Sequence, residues 1–205
     1  MKKKGSYLNL EVAFQQAAEK FARLDPAAAA RQAGCTYHSE GCLEVPFLNQ
    51  DYRVDPASGK AYLGGSEAPL YHNIILLHYL VTADGTPLTG EWISYRHLPG
   101  GEIYMEPFQR RAVIPFLQAF GYQPELFEQA ALSLGGYRAP MGKPGMVVPV
   151  LPRVPLAFVL WPGDDEFAPT ANILFDARAA SYLPTEDYAH LPALALGAMK
   201  ASLQR

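Results

Sequence analysis

Apolar residues recur every three or four positions near the start of the chain, which is the pattern of an amphipathic helix. Asp25-Pro26 should end this helix and begin a second, because Asp is a favourable N-cap and Pro suits the first helical position. Gly34 is then expected to end the second helix. The stripe of the first helix consists of Leu10, Phe14, Ala17, Phe21 and Leu24.

Short apolar runs separated by turn residues follow, and they predict an antiparallel meander. The runs 45–48 and 51–54 flank Asn49-Gln50 as in a hairpin, and a further turn leads to a third strand at 60–63. Pro46 cannot donate to a strand ladder, so the first of these strands is expected at a sheet edge.

The most hydrophobic segment, residues 69–83, predicts a helix that is apolar on all sides and therefore central and buried. A later helix should open near Pro107, be kinked by Pro115 and be capped by Gly121. Pro124 should start the next one.

Seven prolines between residues 139 and 169 predict loops and edge strands in that part of the chain. The apolar runs 146–151 and 154–161 are the strand candidates there, and a short run at 173–175 follows. A C-terminal helix is expected near the end of the chain, with an interruption at Pro192.

Helices and strands mix in this pattern without a regular β-α-β alternation, so the fold class is predicted to be α+β. We expect small antiparallel sheets packed with several helices around the central helix 69–83. A chain of 205 residues suggests a single domain over 1–205, with residues 1–34 as an N-terminal helical segment.

Composition and charge exclude several classes of protein. The chain is 49% hydrophobic and 18% charged with a net charge of −3, and its basic residues are dispersed apart from Lys2-Lys3-Lys4, expected to be a solvated terminus. Nucleic-acid binding is therefore not expected. There is no apolar run long enough for a membrane span, and residues 5–11 do not suit a signal peptide, so we expect a cytoplasmic protein.

The two cysteines do not form a recognised metal motif. Cys35, His38 and Cys42 could supply three ligands to zinc, which needs four at closer pair spacings. The pattern favours two free thiols, since a reducing cytosol disfavours a disulfide.

Acidic residues follow the ends of two predicted strands, where binding groups are often placed. Four of them could hold a hard cation such as magnesium or calcium, which prefers oxygen ligands. The alternative gives turn and cap roles to these acids, and to Glu186 and Asp187 in the first turn of the last helix. The four candidate ligands are Asp164, Asp165, Glu166 and Asp176.

His78 lies on the central helix and shares a face with Tyr71, Ile74 and Ile75. A neutral imidazole among apolar groups could be the axial ligand of a haem or corrinoid metal. The alternative is a core histidine that donates one hydrogen bond to a carbonyl.

Trp92 and Arg96 suggest a second kind of contact. If the strand runs through Tyr95, alternation returns Arg96 to the face of Trp92. An aromatic plane beside a guanidinium suits a planar or carboxylated ligand. The alternative is a Trp packed over the sheet and an Arg–Glu surface pair.

Seven strings, in order along the chain, resemble the uncharacterised prokaryotic family called domain of unknown function 3786, over roughly residues 40–190. They are Leu76-Leu-His-Tyr-Leu80, Pro87-Leu-Thr-Gly-Glu-Trp-Ile-Ser-Tyr-Arg96, Leu98-Pro-Gly-Gly101, Leu151-Pro-Arg-Val-Pro155, Gly163-Asp-Asp-Glu-Phe167, Ile173-Leu-Phe-Asp176 and Leu183-Pro-Thr-Glu-Asp187. The resemblance implies an anaerobic bacterial or archaeal source. Some relatives carry an added iron–sulfur domain similar to one found in corrinoid proteins, and this chain resembles the stand-alone form. The resemblance implies no established activity and no established catalytic residues.

The sequence lacks the glycine-rich, P-loop, nucleophile-elbow and zinc-protease motifs of familiar enzymes. Our leading hypothesis is a non-catalytic ligand-binding or accessory protein for a sizeable, partly planar, anionic ligand such as a tetrapyrrole or corrinoid. It rests on twelve Tyr, ten Phe and two Trp residues, together with His78 and the Trp92–Arg96 pair. One alternative is a hydrolase or lyase in which the four carboxylates hold a divalent metal. Another is a partner module for a corrinoid or iron–sulfur enzyme.

We expect the candidate residues to line one concave surface, since each follows a hydrophobic element. Grouped acids would repel, so arginines should lie among them as counter-charges. The surface would contain Trp92, Arg96, Arg153, Asp164, Asp165, Glu166, Asp176, Glu186 and Asp187, with His78 nearby.

Overall fold

A computed structural model describes residues 4–204, with side chains from Asn9 onward, so Lys2 and Lys3 lie outside the described residues. The chain divides into two compact units, residues 4–87 with 181–183 and residues 88–180 with 184–204. Each unit contains one five-stranded antiparallel sheet together with helices. The predicted α+β class is therefore confirmed, and a single domain over residues 1–205 stays a prediction.

Three helices belong to the first unit: α1 (Lys4–Phe21), α2 (Pro26–Ala33) and α3 (Leu70–Thr82). The boundary predicted at Asp25 is confirmed, because its side chain accepts a hydrogen bond from Ala27 N at 3.2 Å. Gly34 ends α2 with φ of 70°, a left-handed conformation that glycine adopts without a steric penalty.

The predicted central helix is α3, and α1, α2 and the strand at 61–63 all pack against it. Most of its side chains are buried, including Ile75, Leu76 and Tyr79. The Tyr79 hydroxyl donates a hydrogen bond to the carbonyl of Ala33 at the end of α2, so α3 is fixed by polar as well as apolar contacts.

The first sheet has the order β1-β2-β3-β4-β5, which confirms the predicted meander. Its strands are β1 (Thr36–Tyr37), β2 (Leu43–Phe47), β3 (Gln50–Val54), β4 (Ala61–Leu63) and β5 (Ser66–Glu67). The edge position predicted from Pro46 is wrong, since β2 lies between β1 and β3. The strand β1 pairs only with Leu43 and Glu44 of β2. On that side Pro46 therefore has no neighbouring strand, and its lack of an N–H costs no hydrogen bond there.

The second unit contains the order β6-β10-β9-β8-β7, and every neighbouring pair is antiparallel. The long strands β8 and β9 confirm the predicted runs, and β10 extends the predicted run 173–175 in both directions. Its strands are β6 (Trp92–Ser94), β7 (Tyr137–Ala139), β8 (Gly145–Leu151), β9 (Val154–Trp161) and β10 (Thr170–Asp176).

The helix predicted around Pro115 is interrupted by a π-helical segment, Gln109–Val113. Pro115 has no N–H, so the hydrogen bond that would continue a regular helix to the carbonyl of Arg111 cannot form. The helices of this unit are α4 (Met105–Phe108), α5 (Ile114–Phe120), α6 (Pro124–Ser133), α7 (Thr185–Tyr188) and α8 (Leu191–Ser202). Short 3-10 helices occupy Tyr95–His97 and Ala179–Ser181.

Aromatic rings fill the core of the second unit on one face of its sheet. Phe158 of β9 packs edge-on against Phe116, with ring centroids 5.3 Å apart. Phe175 of β10 contacts Tyr95 and Tyr188, at 5.7 and 5.3 Å between centroids. Among the residues from 4 to 204, no helix is both long and apolar enough to span a membrane.

A buried asparagine fixes the β4–β5 hairpin to α3, and its loss is expected to destabilise the first unit. The Asn73 side chain accepts from Ala61 N at 2.5 Å and donates to Ala68 O at 2.9 Å. Asn73→Leu would leave both backbone groups without a partner, and we expect it to lower the free energy of unfolding by about 3 kcal/mol. Urea denaturation measures this, with Gln50→Ala, at the exposed first residue of β3, as the control. Equal midpoints for the two variants would contradict the role of Asn73.

Candidate functional site

Trp92 and Asp176 lie directly opposite each other in the β6–β10 pair. Opposed side chains project to the same face, so Trp92, Ser94 and Asp176 share one face of the sheet. The premise used to place Arg96 is wrong, because β6 ends at Ser94 and a 3-10 helix begins at Tyr95. Strand alternation therefore does not bring Arg96 to the face of Trp92.

Asp176 is a buried anchor for the segment that leads into β6. Its carboxylate accepts from Gly90 N and Arg178 N, each at 2.8 Å, and from Thr89 N at 3.1 and 3.3 Å. The Thr89 hydroxyl donates to the same carboxylate at 3.3 Å. These donors occupy the lone pairs that a cation would need, so the geometry gives Asp176 a structural role.

The acidic loop 164–166 lies at the other end of β10. Asp164 shapes this loop by accepting from Phe167 N at 2.7 Å and Glu166 N at 2.9 Å, bonds that lower the pKa of its carboxyl. Six residue steps of about 3.3 Å separate Thr170 from Asp176, so the two ends of the strand are about 20 Å apart. One metal ion therefore cannot bind Asp176 together with the loop acids.

The remaining metal candidates also lack a suitable geometry. Across residues 4–204, no group of three or more His, Cys, Asp or Glu side chains could hold a metal ion. This corrects the four-carboxylate arrangement and the zinc set of Cys35, His38 and Cys42. Both cysteines are free thiols, and burial raises the pKa of Cys35 to about 12, so it is not a thiolate at neutral pH.

Arg153 lies in the β8–β9 turn, at the Asp176 end of the sheet, since Leu156 pairs with Phe175. Glu186 and Asp187 lie in α7, whose Thr185 carbonyl accepts a hydrogen bond from the Tyr95 hydroxyl at 2.9 Å. Burial raises the pKa of Tyr95, and the charges of Tyr104 and Glu186 add to the effect.

A polar cluster that the sequence did not predict lies beside α7. An Arg111 guanidinium N–H donates to His190 Nε2 at 2.8 Å. Burial and then the charge of Arg111 lower the pKa of His190, and the nearby Asp187 opposes them. Arg111 belongs to the π-helical segment, a kind of distortion that is frequent at functional sites.

The predicted site residues are thus distributed over two faces and two ends of the second sheet. Tyr95 and α7 pack on the Phe175 face, whereas the neighbouring Asp176 projects to the opposite face with Trp92. His78 is half-buried on α3 in the first unit, and its role as an axial ligand stays a prediction.

A groove of about 500 Å³ in the second unit provides a concave surface, and none of the predicted residues lines it. It lies between the start of α6 and the loop that joins β7 to β8. Its lining residues are Pro124, Glu125, Glu128, Arg138, Ala139, Pro140, Met141, Gly142, Lys143, Pro144 and Gly145.

The loop side of this groove is tightly built. Lys143 N donates to Leu160 O at 2.7 Å, and Leu160 N donates to Pro144 O at 2.9 Å. Gly142 has φ of 65°, and a Cβ there would lie only 2.6 Å from Val159 Cγ1. The wall is therefore held in place by β9, which is the condition for a preformed site.

The charged groups of the groove are partly paired. Arg138 donates to Glu128 at 2.7 Å, so these two charges compensate each other. Lys143 and Glu125 are exposed on opposite walls. The sequence signal for this site is the string of Pro and Gly from Pro140 to Gly145, with Arg138 just before it and Lys143 within it.

Comparison with known proteins assigns the family. The profile of domain of unknown function (DUF3786) matches residues 25–197, which is most of the chain. The chain therefore belongs to this family, and the resemblance found over roughly residues 40–190 is confirmed. No curated protein and no solved structure matched the chain.

Removing the Asp176 carboxylate is expected to destabilise the second unit. Asp176→Ala leaves the N–H groups of Thr89, Gly90 and Arg178 without their acceptor. We expect the free energy of unfolding to fall by about 3 kcal/mol, measured by chemical denaturation. Asp165→Ala, in the exposed loop, is the control and should change it by less than about 0.5 kcal/mol. Wild-type stability in Asp176→Ala would show that these hydrogen bonds are dispensable.

His190 is expected to make the fold sensitive to acid. Its pKa is lowered in the folded protein, so the unfolded chain binds a proton more readily and stability falls as pH drops through the unfolded pKa of about 6.5. His190→Gln keeps an acceptor for Arg111 and cannot be protonated. We therefore expect a smaller loss of stability than in the wild type between pH 7.5 and 5.5. Parallel stability curves for the two proteins over this range would refute the assignment.

Proposed function

We propose that this member of the DUF3786 family is a non-catalytic binding or accessory protein, and that its groove holds part of a sizeable, partly planar, anionic ligand. The observation that carries the proposal is the groove between α6 and the β7–β8 loop. Its volume of about 500 Å³ lies within the range of about 300–1,000 Å³ that is usual for small-molecule sites.

The apolar part of the lining suits a flat molecule. Pro124 comes from the start of α6, whereas Pro140, Met141 and Pro144 come from the loop. Proline rings present rigid surfaces, and the methionine side chain adapts to the shape that it contacts. A planar ligand could therefore be held between two walls with little rearrangement of the protein.

Lys143 is the group that we assign to the anionic part of the ligand. Arg138 is already paired with Glu128, whereas the Lys143 side chain is exposed at the groove. The first turn of α6 has no side-chain cap, and its dipole also favours a negative group. Glu125 places a negative charge on the same helical turn. The arrangement thus favours a ligand that places one anionic group at Lys143 over a ligand that is charged along its whole length.

A tetrapyrrole or a corrinoid is the specific ligand class that we propose to test first. The planarity of the macrocycle agrees with a groove between two walls, but no His or Cys is present among the lining residues. Binding would then occur through the periphery of the macrocycle, without coordination of its metal by the groove. Axial coordination by His78 is a separate hypothesis with its own test.

The direct test is titration of the purified protein with haemin and with cobalamin, followed by absorption spectra and thermal melting. We expect binding to raise the melting temperature of the wild type. Ala139→Phe should abolish this effect, because a ring at this lining position fills the groove. Lys143→Gln should weaken binding about five-fold, the value of a solvent-exposed charge pair of about 1 kcal/mol. Lys20→Gln on the exposed side of α1 is the matched control.

Three outcomes separate the parts of this proposal. If neither compound changes the spectrum or the melting temperature, the tetrapyrrole version is abandoned. If a compound binds equally well to Ala139→Phe, the groove is not its site. A haem spectrum that changes in His78→Ala, but not in Lys143→Gln, would assign the ligand to α3 instead.

A further inference from the structure

The end of the β9–β10 hairpin exposes an unusual amount of aromatic surface. Tyr122 is 65% exposed, Phe167 is 69% exposed and Trp161 is 45% exposed. Trp161 is the last residue of β9, and Phe167 lies in the loop that leads to β10. Exposed aromatic side chains that lie together are typical of interaction surfaces.

Close contacts bring Tyr122 to this loop, although it follows α5 in the sequence. Gly163 N donates to Gly121 O at 2.9 Å. A Cβ on Gly163 would lie 2.5 Å from Tyr122 Cε1 and 2.6 Å from Pro169 Cδ, so the Tyr122 ring covers the glycine. We call the surface formed by Tyr122, Asp165, Glu166 and Phe167 the hairpin tip.

Hydrogen bonds to Asp164 fix the backbone of Phe167 in the hairpin tip. Asp164 accepts from Phe167 N at 2.7 Å, and its own N–H donates to Phe167 O at 3.0 Å. These two bonds fix Phe167 at both of its backbone polar groups. The phenyl ring of Phe167 is 69% exposed, and this exposure costs hydrophobic free energy that a partner could recover.

Charge identifies the chemistry of that partner. Asp165 and Glu166 are both exposed and immediately precede Phe167. Two carboxylates beside aromatic rings attract arginine and lysine, which combine ion pairs with cation–π contacts. They repel the phosphates of nucleic acids and the anionic headgroups of membranes.

We propose that the hairpin tip is a docking surface for a basic segment of a partner protein, with an arginine or lysine side chain on the Tyr122 and Phe167 rings. This surface is distinct from the groove, because none of its four residues lines the groove. The proposed accessory protein would then have two binding sites: the groove for a small molecule and the hairpin tip for a partner protein.

The test uses a phage-displayed library of random twelve-residue peptides, selected on the wild type and counter-selected on Asp165→Asn/Glu166→Gln/Phe167→Ala. We expect the selected peptides to be enriched in Arg and Lys. Their affinity can be measured by fluorescence in a Trp92→Phe background, since the chain has two tryptophans and Trp161 then reports alone.

Two further variants then separate the contribution of charge from that of aromatic contact. Phe167→Ala should weaken a selected peptide about ten-fold, as expected of an interface anchor. Asp165→Asn/Glu166→Gln should weaken it and make its affinity less dependent on salt. The matched controls are Tyr137→Ala and Glu102→Gln, which remove an exposed aromatic ring and an exposed carboxylate elsewhere in the same unit.

Three results would overturn the proposal. The first is a set of selected peptides without enrichment in Arg and Lys, and the second is binding to the triple variant as tight as to the wild type. The third is a dimer of this chain in sedimentation that is lost in Phe167→Ala, which would make a second copy the occupant. Peptide binding should persist in Ala139→Phe, so a failure of the groove proposal is distinguishable from a failure of this one.

Discussion

The length of β10 is the constraint on which the arrangement of the second unit depends. A strand of seven residues separates its ends by about 20 Å, and its antiparallel neighbours carry their own ends to the same two places. Asp176, Trp92 and the turn with Arg153 lie at one end. The acidic loop 164–166, the loop that joins β7 to β8 and the residues around Tyr122 lie at the other end. The acidic loop and Asp176 are close in the sequence, but β10 places them at opposite ends of the sheet.

Local patterns predicted the elements well, because those elements are decided by nearby residues. The cap at Asp25, the buried helix α3 and the runs of β8 and β9 follow from propensity and periodicity. The site was harder to predict. Arg111 and His190 are separated by 79 positions, and no local pattern indicates their hydrogen bond. The placement of Arg96 rested on strand alternation carried two residues beyond Ser94, into a 3-10 helix that no alternation in the sequence indicates.

The aromatic content of the chain has a structural explanation that composition could not reveal. Four buried tyrosines each donate their hydroxyl to a backbone carbonyl: Tyr79 to Ala33, Tyr95 to Thr185, Tyr182 to Thr86 and Tyr188 to Ala179. Each ring fills the core while its hydroxyl satisfies a polar backbone group. Much of the tyrosine that suggested a planar ligand therefore serves to connect segments of the chain. The exposed rings, Tyr122 and Phe167 in particular, are the ones that require another explanation.

Two hydrogen bonds connect Leu160 of β9 to Lys143 and Pro144 in the loop that joins β7 to β8. Leu160 immediately precedes Trp161, the residue that ends β9 next to the acidic loop. Gly142 packs too closely on Val159 to move independently of that strand. Leu160 thus joins the wall of the groove to the last residues of β9, and a displacement of Lys143 or Pro144 would strain both of its backbone hydrogen bonds.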